Sequence, residues 1–226
     1  MKRTHFNQRQ FTEPAYIARA LAILGLSLLI STLPCPVLAG QSKIKVAIFV
    51  GRGAQASEFR KEFDRSDDDY IDYETVIGED IRDGYLNKFD AILVPGGSAK
   101  REALSMGLKA RDEVRRFVKE GGIYMGVCAG AYLASEQGDL DLALIPLSTA
   151  DSDHWYRVDD MTPVDVELTP AGMDIFGIPK PYVKIGYENG PIFKLPAPRP
   201  DMNFCPVGFF RSEVVGDGGE RGVMRG

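Results

Sequence analysis

The sequence predicts an α/β fold, a parallel β-sheet with helices on both faces and a mixed or antiparallel C-terminal extension. Three observations carry this. Short apolar runs end in glycine at Gly51, at Pro95-Gly96-Gly97 and at Gly126. The stretches between them have helical spacing, and from Asp151 the pattern changes to alternating runs separated by proline and glycine turns. Strand, helix and strand joined by short glycine turns build right-handed βαβ units. Ligands of such sheets bind at the carboxyl ends of the strands, so the PGG and GVCAG joints are placed to share one crevice.

In chain order, residues 43–51 (KIKVAIFVG) form the first core strand, apolar enough to be covered on both faces. SEFRKEFD follows as a helix with Ser57 as its N-cap. YIDYETVI alternates as a strand, and DIRDGYLNKFD is a short connector. AILV is a buried strand running into the PGG turn. The next helix carries an imperfect stripe of Leu104, Met106, Leu108, Val114, Phe117 and Val118, with Gly121-Gly122 as its stop. IYMGV is another buried strand, and AGAYLAS is rich in helix formers. VDVELTP, YVKIGYENGPIF and GFFRSEVV read as strands, and the glycine-rich end cannot readily form a core helix or strand.

Before the domain, residues 20–33 form an apolar run preceded by Lys2, Arg3, Arg9 and Arg19 and followed by PVLAG. That is the layout of a secretory signal with Val37 and Ala39 at the small positions, so cleavage after Ala39 is expected. The run is shorter than the roughly 20 residues of a spanning helix, which leaves cleavage or shallow anchoring rather than a stable span. Pro34 before Cys35 argues against a lipoprotein. The expected organisation is a signal at 1–39, one α/β domain at 40–215 and a glycine-rich tail at 216–226, with the protein secreted or periplasmic.

A formal net charge of −5, with no basic stripe, excludes the electrostatic footprint of a nucleic-acid binder. Past Cys35 only Cys128 and Cys205 remain, with no CxxC and no cysteine–histidine cluster, so no disulfide framework, zinc site or cofactor is indicated. Asp151, Asp153, Asp159 and Asp160 lack the spacing of a calcium loop.

Cys128 carries the chemistry. Between Gly126 and Gly130, after a strand and before a helix, it is placed for an elbow that lifts its sulfur out of the sheet. The alternative is a small residue filling a buried turn. The helix beginning near Ala129 aims N–H groups at the sulfur, favouring a thiolate, and the N–H of Gly97 supplies a second donor for an oxyanion. The remaining part is a base. The chain has two histidines, His5 in the signal and His154, so a dyad must use His154, in a loop with Asp153 and Trp155. The other reading of His154 is a loop histidine stacked on Trp155. Gly96, Tyr132, Trp155, Tyr187 and Asn189 are candidate pocket residues, although YENGPIF also reads as a hairpin corner.

DAILVPGGSA, VKEGGIYMGVCAGAYLAS, DHWYRV, VDVELTP and YENGPIF together resemble the biotin–protein ligase N-terminal-like domains, a branch of the class I glutamine amidotransferase-like superfamily. The resemblance runs from Lys43 to Phe193. It implies a flavodoxin-like α/β fold with Cys128 at the position of the superfamily's nucleophile and Gly97 at its oxyanion turn. It does not imply biotin ligation, because no ligase domain follows. The superfamily's late-strand histidine is missing, and FFRSEVV reads as a strand pair left incomplete, so truncation is expected. The function expected is an exported, cysteine-dependent amide or ester hydrolase or acyl transferase with an incomplete triad. The alternatives are a non-catalytic small-molecule-binding domain using the same crevice and a scaffold. The substrate and oligomeric state are left open.

Overall fold

The computed structural model describes residues 43–66, 70–136, 138–149, 161–193, 204–212, 214–215 and 221–222, all within the unit Ser42–Gly226. The expected signal, with its cut after Ala39, and His154, Trp155 and Asp153 lie outside the described residues.

The first half alternates β1 (Ile44–Phe49), α1 (Ser57–Arg65), β2 (Ile71–Val76), α2 (Gly78–Arg82), a 3-10 turn (Tyr85–Lys88), β3 (Ala91–Val94), α3 (Ala99–Lys119), β4 (Ile123–Gly126) and α4 (Ala129–Ala134). Its four described strands form one parallel sheet in the order β2-β1-β3-β4. The chain steps outward from β1 to β2, then crosses back to β3, so the loops after β1 and β3 part at the switch point where such sheets bind ligands. Strand alternation sorts the core. Ala47, Phe49, Ile92 and Val94 face Ile81 of α2, Met106, Val114 and Phe117 of α3 and Leu133 of α4. Val46, Ile48, Ala91 and Leu93 face Ala56 and the phenyl rings of α1, Phe59 and Phe63. Helices therefore cover both faces, and the fold is the flavodoxin-like one expected.

The second half is antiparallel, as its turn-rich sequence implies. β5 (Thr162–Leu168) lies between β6 (Tyr182–Tyr187) and β7 (Gly208–Phe210), with Val164, Val166 and Leu168 turned inward.

Several local expectations are corrected. Ala56, not Ser57, occupies the N-cap of α1, and no side chain caps it. The expected connector after β2 holds α2 and the 3-10 turn, because the Asp80 carboxylate accepts the Ile77 N–H at 2.9 Å and caps a short helix. β4 is an edge strand among the described ones, which leaves Ile123 55 % exposed. A helix missed in the sequence, α5 (Pro170–Phe176), begins where the Thr169 hydroxyl accepts the Gly172 N–H at 3.1 Å and ends on Gly177 at φ 61°. Its signal was present as a threonine cap followed by proline at the first helical position. Arg221–Gly222 (β9) pairs with Val214–Val215 (β8), so the glycine-rich tail does contribute strand and the late pair has a partner. Glycine permits such a short return because it tolerates turn conformations.

The largest correction concerns α3. Gly107 sits at φ 77°, ψ 166° inside it and breaks the helical register. Leu104 and Leu108 are consequently exposed, and the buried stripe is Glu102, Ala103, Met106, Ala110, Arg111, Val114 and Phe117. Arg111 donates to the carbonyl of Asp139 at 2.8 Å, and Arg115 donates to those of Leu142 and Asp141 at 2.9 and 2.7 Å. The loop behind α4 is thereby tied to α3.

Glu102 has no such partner. It is 0 % exposed, and neither carboxylate oxygen has a hydrogen-bond partner. Burial pushes its carboxyl from the ordinary 4.5 up to about 7. Between those values the unfolded chain has lost this proton while the folded chain keeps it. Stability therefore falls as pH rises through the window and is lost in full above about 7.

Urea unfolding tests both points. Met106→Ala should cost about 2–5 kcal/mol, whereas Leu108→Ala should stay within about 0.5 kcal/mol; equal losses would contradict the break at Gly107. Between pH 5 and pH 8 the wild type should lose up to about 3 kcal/mol through Glu102, because a tenfold change in proton affinity between the folded and unfolded chains is worth about 1.4 kcal/mol. Glu102→Gln should remove that part of the slope, and parallel curves for the two proteins would show that Glu102 ionises freely.

Candidate functional site

The sequence between β4 and α4 forms a tight reversal. Cys128 adopts φ 50°, ψ −103°, a conformation that costs a residue with a Cβ about 1–3 kcal/mol. Surrounding contacts hold it there. The N–H of Val127 donates to Val94 at 3.0 Å, that of Gly130 to Pro95 at 3.1 Å, and that of Tyr132 to Cys128 at 3.0 Å. The two glycines flanking the cysteine are required by space. A Cβ on Gly130 would lie 2.1 Å from the Val94 carbonyl oxygen, and one on Gly126 would lie 2.6 Å from the Gly130 oxygen. Tyr124 closes the contact, its hydroxyl donating to the Gly130 carbonyl at 2.7 Å.

The PGG turn forms the second wall. Gly97 has φ 140°, and a Cβ there would fall 2.0 Å from the Gly53 oxygen. That oxygen accepts the Ser98 N–H at 3.1 Å, while Gln55 donates its N–H to Gly96 at 2.8 Å. The glycine loop after β1 thus clamps the turn, a role the sequence reading did not assign. Its signal was the closely spaced Gly51 and Gly53 at the end of the first strand. Gly96 faces the cysteine directly, since a Cβ there would lie 3.3 Å from Cys128 Cβ and 3.9 Å from Sγ.

Residues after β6 supply the third wall. The Cys128 thiol donates to the Glu188 carbonyl at 3.7 Å, and the Tyr132 hydroxyl donates to that of Asn189 at 3.3 Å. Asn189 has φ 57°, within the left-handed region that asparagine tolerates. Tyr187 is buried, its ring edge-on to Phe210 at 6.0 Å and its hydroxyl donating to Gly190 at 3.0 Å. It holds the corner closed and stands behind the wall, which makes it a corner residue and not a pocket residue.

Cys128 is half-buried. Burial pushes its thiol up; the N–H groups of Gly97 and then Ala129, both directed at the sulfur, pull it down; the charges of Glu188 and Glu102 push it up again. The net direction is upward, against the expectation of a thiolate favoured by the helix terminus. The physical reason is that lost hydration and two nearby acids outweigh the pair of N–H groups.

The structure brings Cys128, Gly96, Gly97, Ala129, Tyr132 and Asn189 into one place at the strand ends. It also brings Glu102, which the sequence reading passed over. A Cβ on Gly97 would lie 3.0 Å from Glu102 Oε1, so the buried carboxyl sits under the turn. The signal was an acid at spacing i, i+4 and i+8 with Met106 and Ala110, on the helix's apolar face. Among the described residues no cluster of histidine, cysteine and acids could hold a metal ion, and no helix is long and apolar enough to cross a membrane. A separate apolar cleft, lined by Val166, Phe176, Ile185 and Phe210, lies on the antiparallel sheet. The arrangement at Cys128 offers a thiol beside two backbone donors, the geometry for receiving a carbonyl carbon at sulfur and its oxygen at the N–H groups.

Residues 72–143 match the family described as Biotin-protein ligase, N terminal. Subunit PurQ of phosphoribosylformylglycinamidine synthase from Koribacter versatilis is 38% identical over 65 residues, covering 26% of this chain and 28% of its own. The same subunit from Staphylococcus saprophyticus is 34% identical over 82 residues, covering 34% and 33%. The chain thus spans about a third or less of the length of these curated relatives. Among solved structures, PurLQS from Thermotoga maritima aligns with a TM-score of 0.46 and 16% identity over 81% of this chain and 87% of that one. A glutamine amidotransferase from Thermotoga maritima aligns at 0.41 and 15%, over 68% and 63%. The match from β2 to the loop behind α4 spans the PGG turn, Glu102 and Cys128. Over residues 72–143 this chain is therefore of the biotin-protein ligase N-terminal family, in a glutamine amidotransferase-like domain of the class I superfamily.

Proposed function

We propose that this is an exported amidotransferase-like domain in which Cys128, on a nucleophile elbow, attacks an amide or ester carbonyl. The observation that supports it most is the strained φ of 50° at Cys128 together with the Gly97 and Ala129 N–H groups directed at its sulfur. A strained backbone maintained by surrounding contacts is the mark of a position where geometry serves function. In the reaction the sulfur–carbon bond forms as the carbonyl oxygen takes up charge between the two N–H groups. The carbon–nitrogen or carbon–oxygen bond then breaks, the leaving group takes a proton, and water releases the acyl group from sulfur.

The proton is the weak point. His154 is the sole histidine after His5, and general acid–base assistance is typically worth about 10²- to 10⁴-fold. The triad is therefore read as incomplete and turnover as slow. A second reading, a non-catalytic domain that binds a small molecule in the same crevice, is favoured by the upward push of burial on the thiol.

Export is part of the proposal, supported by the charged, apolar and small-residue layout of residues 1–39. Intact-mass measurement of the extracytoplasmic protein should find a chain starting at Gly40; a species retaining Met1 would refute cleavage.

Activity is tested on small amides and esters with wild type, Cys128→Ser and His154→Ala. The expected result is slow wild-type turnover, reduced about 10²-fold or more in Cys128→Ser and little changed in His154→Ala. No difference between wild type and Cys128→Ser, with small-molecule binding intact in both, would transfer the assignment to the binding reading.

A further inference from the structure

Glu102 is an ionisable group of the crevice that the reaction just outlined leaves unused. It stands in the first turn of α3, fully buried, with neither carboxylate oxygen hydrogen-bonded. A lone carboxylate in such a place costs several kcal/mol unless it is neutralised or shares its charge. Its Oε1 lies 3.0 Å from the position a Cβ on Gly97 would take, and a Cβ on Gly96 would sit 3.9 Å from Cys128 Sγ. Carboxyl and thiol thus lie against the same two-glycine turn, which has no side chain to screen one from the other.

The groups around Glu102 do not answer its charge. Tyr124, on β4, commits its hydroxyl to the Gly130 carbonyl. Ser105, on the same helix, donates to the backbone carbonyl of Glu102. Arg111, further along α3, is turned to the Asp139 carbonyl. The loop after β1 presents backbone at Gly53. The acid influencing the sulfur from the segment after β6 is Glu188, which adds negative charge. No cation contributes to the state of the Glu102 carboxyl, and the charge of Glu102 acts on both Tyr124 and Cys128.

We propose that Glu102 and Cys128 form an acid–base pair that shares one negative charge across the Gly96–Gly97 turn. When the thiolate forms, the S–H bond of Cys128 breaks and an O–H bond forms on the Glu102 carboxylate, leaving the net charge of the pair at one negative. When the leaving group departs, the same proton is available to it. Glu102 is thus a positioning residue for the proton and supplies what a missing histidine would have supplied. The proposal deepens the reading of Cys128 as nucleophile and rests on it for the direction of proton flow, while the charge sharing itself is measurable without substrate.

The test is the pH profile of Cys128 alkylation by iodoacetamide, followed on the Cys128 peptide by mass spectrometry in a Cys205→Ser background. Two groups sharing a charge titrate in two macroscopic steps separated by about one pH unit or more. The wild type should therefore react in two steps. Glu102→Gln should react in one, with its midpoint about one pH unit or more below the wild type's upper step. Superimposable profiles would overturn the pair. If Glu102→Gln does not fold, wild type and Cys128→Ser labelled with ¹³C-glutamate decide the matter. The Glu102 carboxyl should show two inflections in the first and one in the second, and identical curves would overturn the proposal. Two-step alkylation in a protein without turnover would remove the nucleophile reading and leave the pair standing.

Discussion

The site depends on one backbone contact, the packing of Gly130 against the end of β3. At that distance the Val94 carbonyl leaves no room for a side chain, and the Gly130 N–H is directed at Pro95 and Val127. Helix α4 can press onto the sheet only because its second residue lacks a Cβ. That pressure forces the reversal at Cys128 into positive φ. The strain is thus balanced by hydrogen bonds and packing on both sides, as strained functional turns require. Gly97 and Gly53 repeat the device one strand over, so that two backbones meet where side chains would collide.

Electrostatics in the crevice pull in opposite directions. Two N–H groups favour an anion at the sulfur; burial and two acids oppose it. Helix α4 has six residues, so little macrodipole accumulates behind its N-terminus and the individual N–H groups matter more than the helix as a whole. An acid as deeply buried as Glu102 destabilises the folded chain above neutral pH. A packed apolar residue at the same place would avoid that cost, so the position sacrifices stability where the chemistry is concentrated.

The antiparallel half contributes by position. β6 delivers the carbonyls of Glu188 and Asn189 to Cys128 and Tyr132, and Tyr187 fastens the corner that aims them. Arg111 and Arg115 perform a parallel service behind α4, holding the chain between α4 and the second sheet. Both devices rely on backbone carbonyls, which vary little with side-chain identity.

The sequence by itself determined the parallel sheet, the helices on both faces and the meeting of the PGG and GVCAG joints, because period, glycine stops and apolar runs are local signals. It also narrowed the chemistry to Cys128 and, by counting histidines, exposed the weakness of the base. Tertiary structure decided the rest. Leu104 and Leu108 satisfy a helical stripe on paper, and one glycine at positive φ turns them to solvent. Glu102 looks like an ordinary surface acid until Gly107 fixes the register that buries it. The upward push on the Cys128 thiol depends on Glu188, sixty residues away in sequence, and on the hydration lost when three strand-end loops close together. Such effects arise from long-range burial and charge, and no local pattern encodes them.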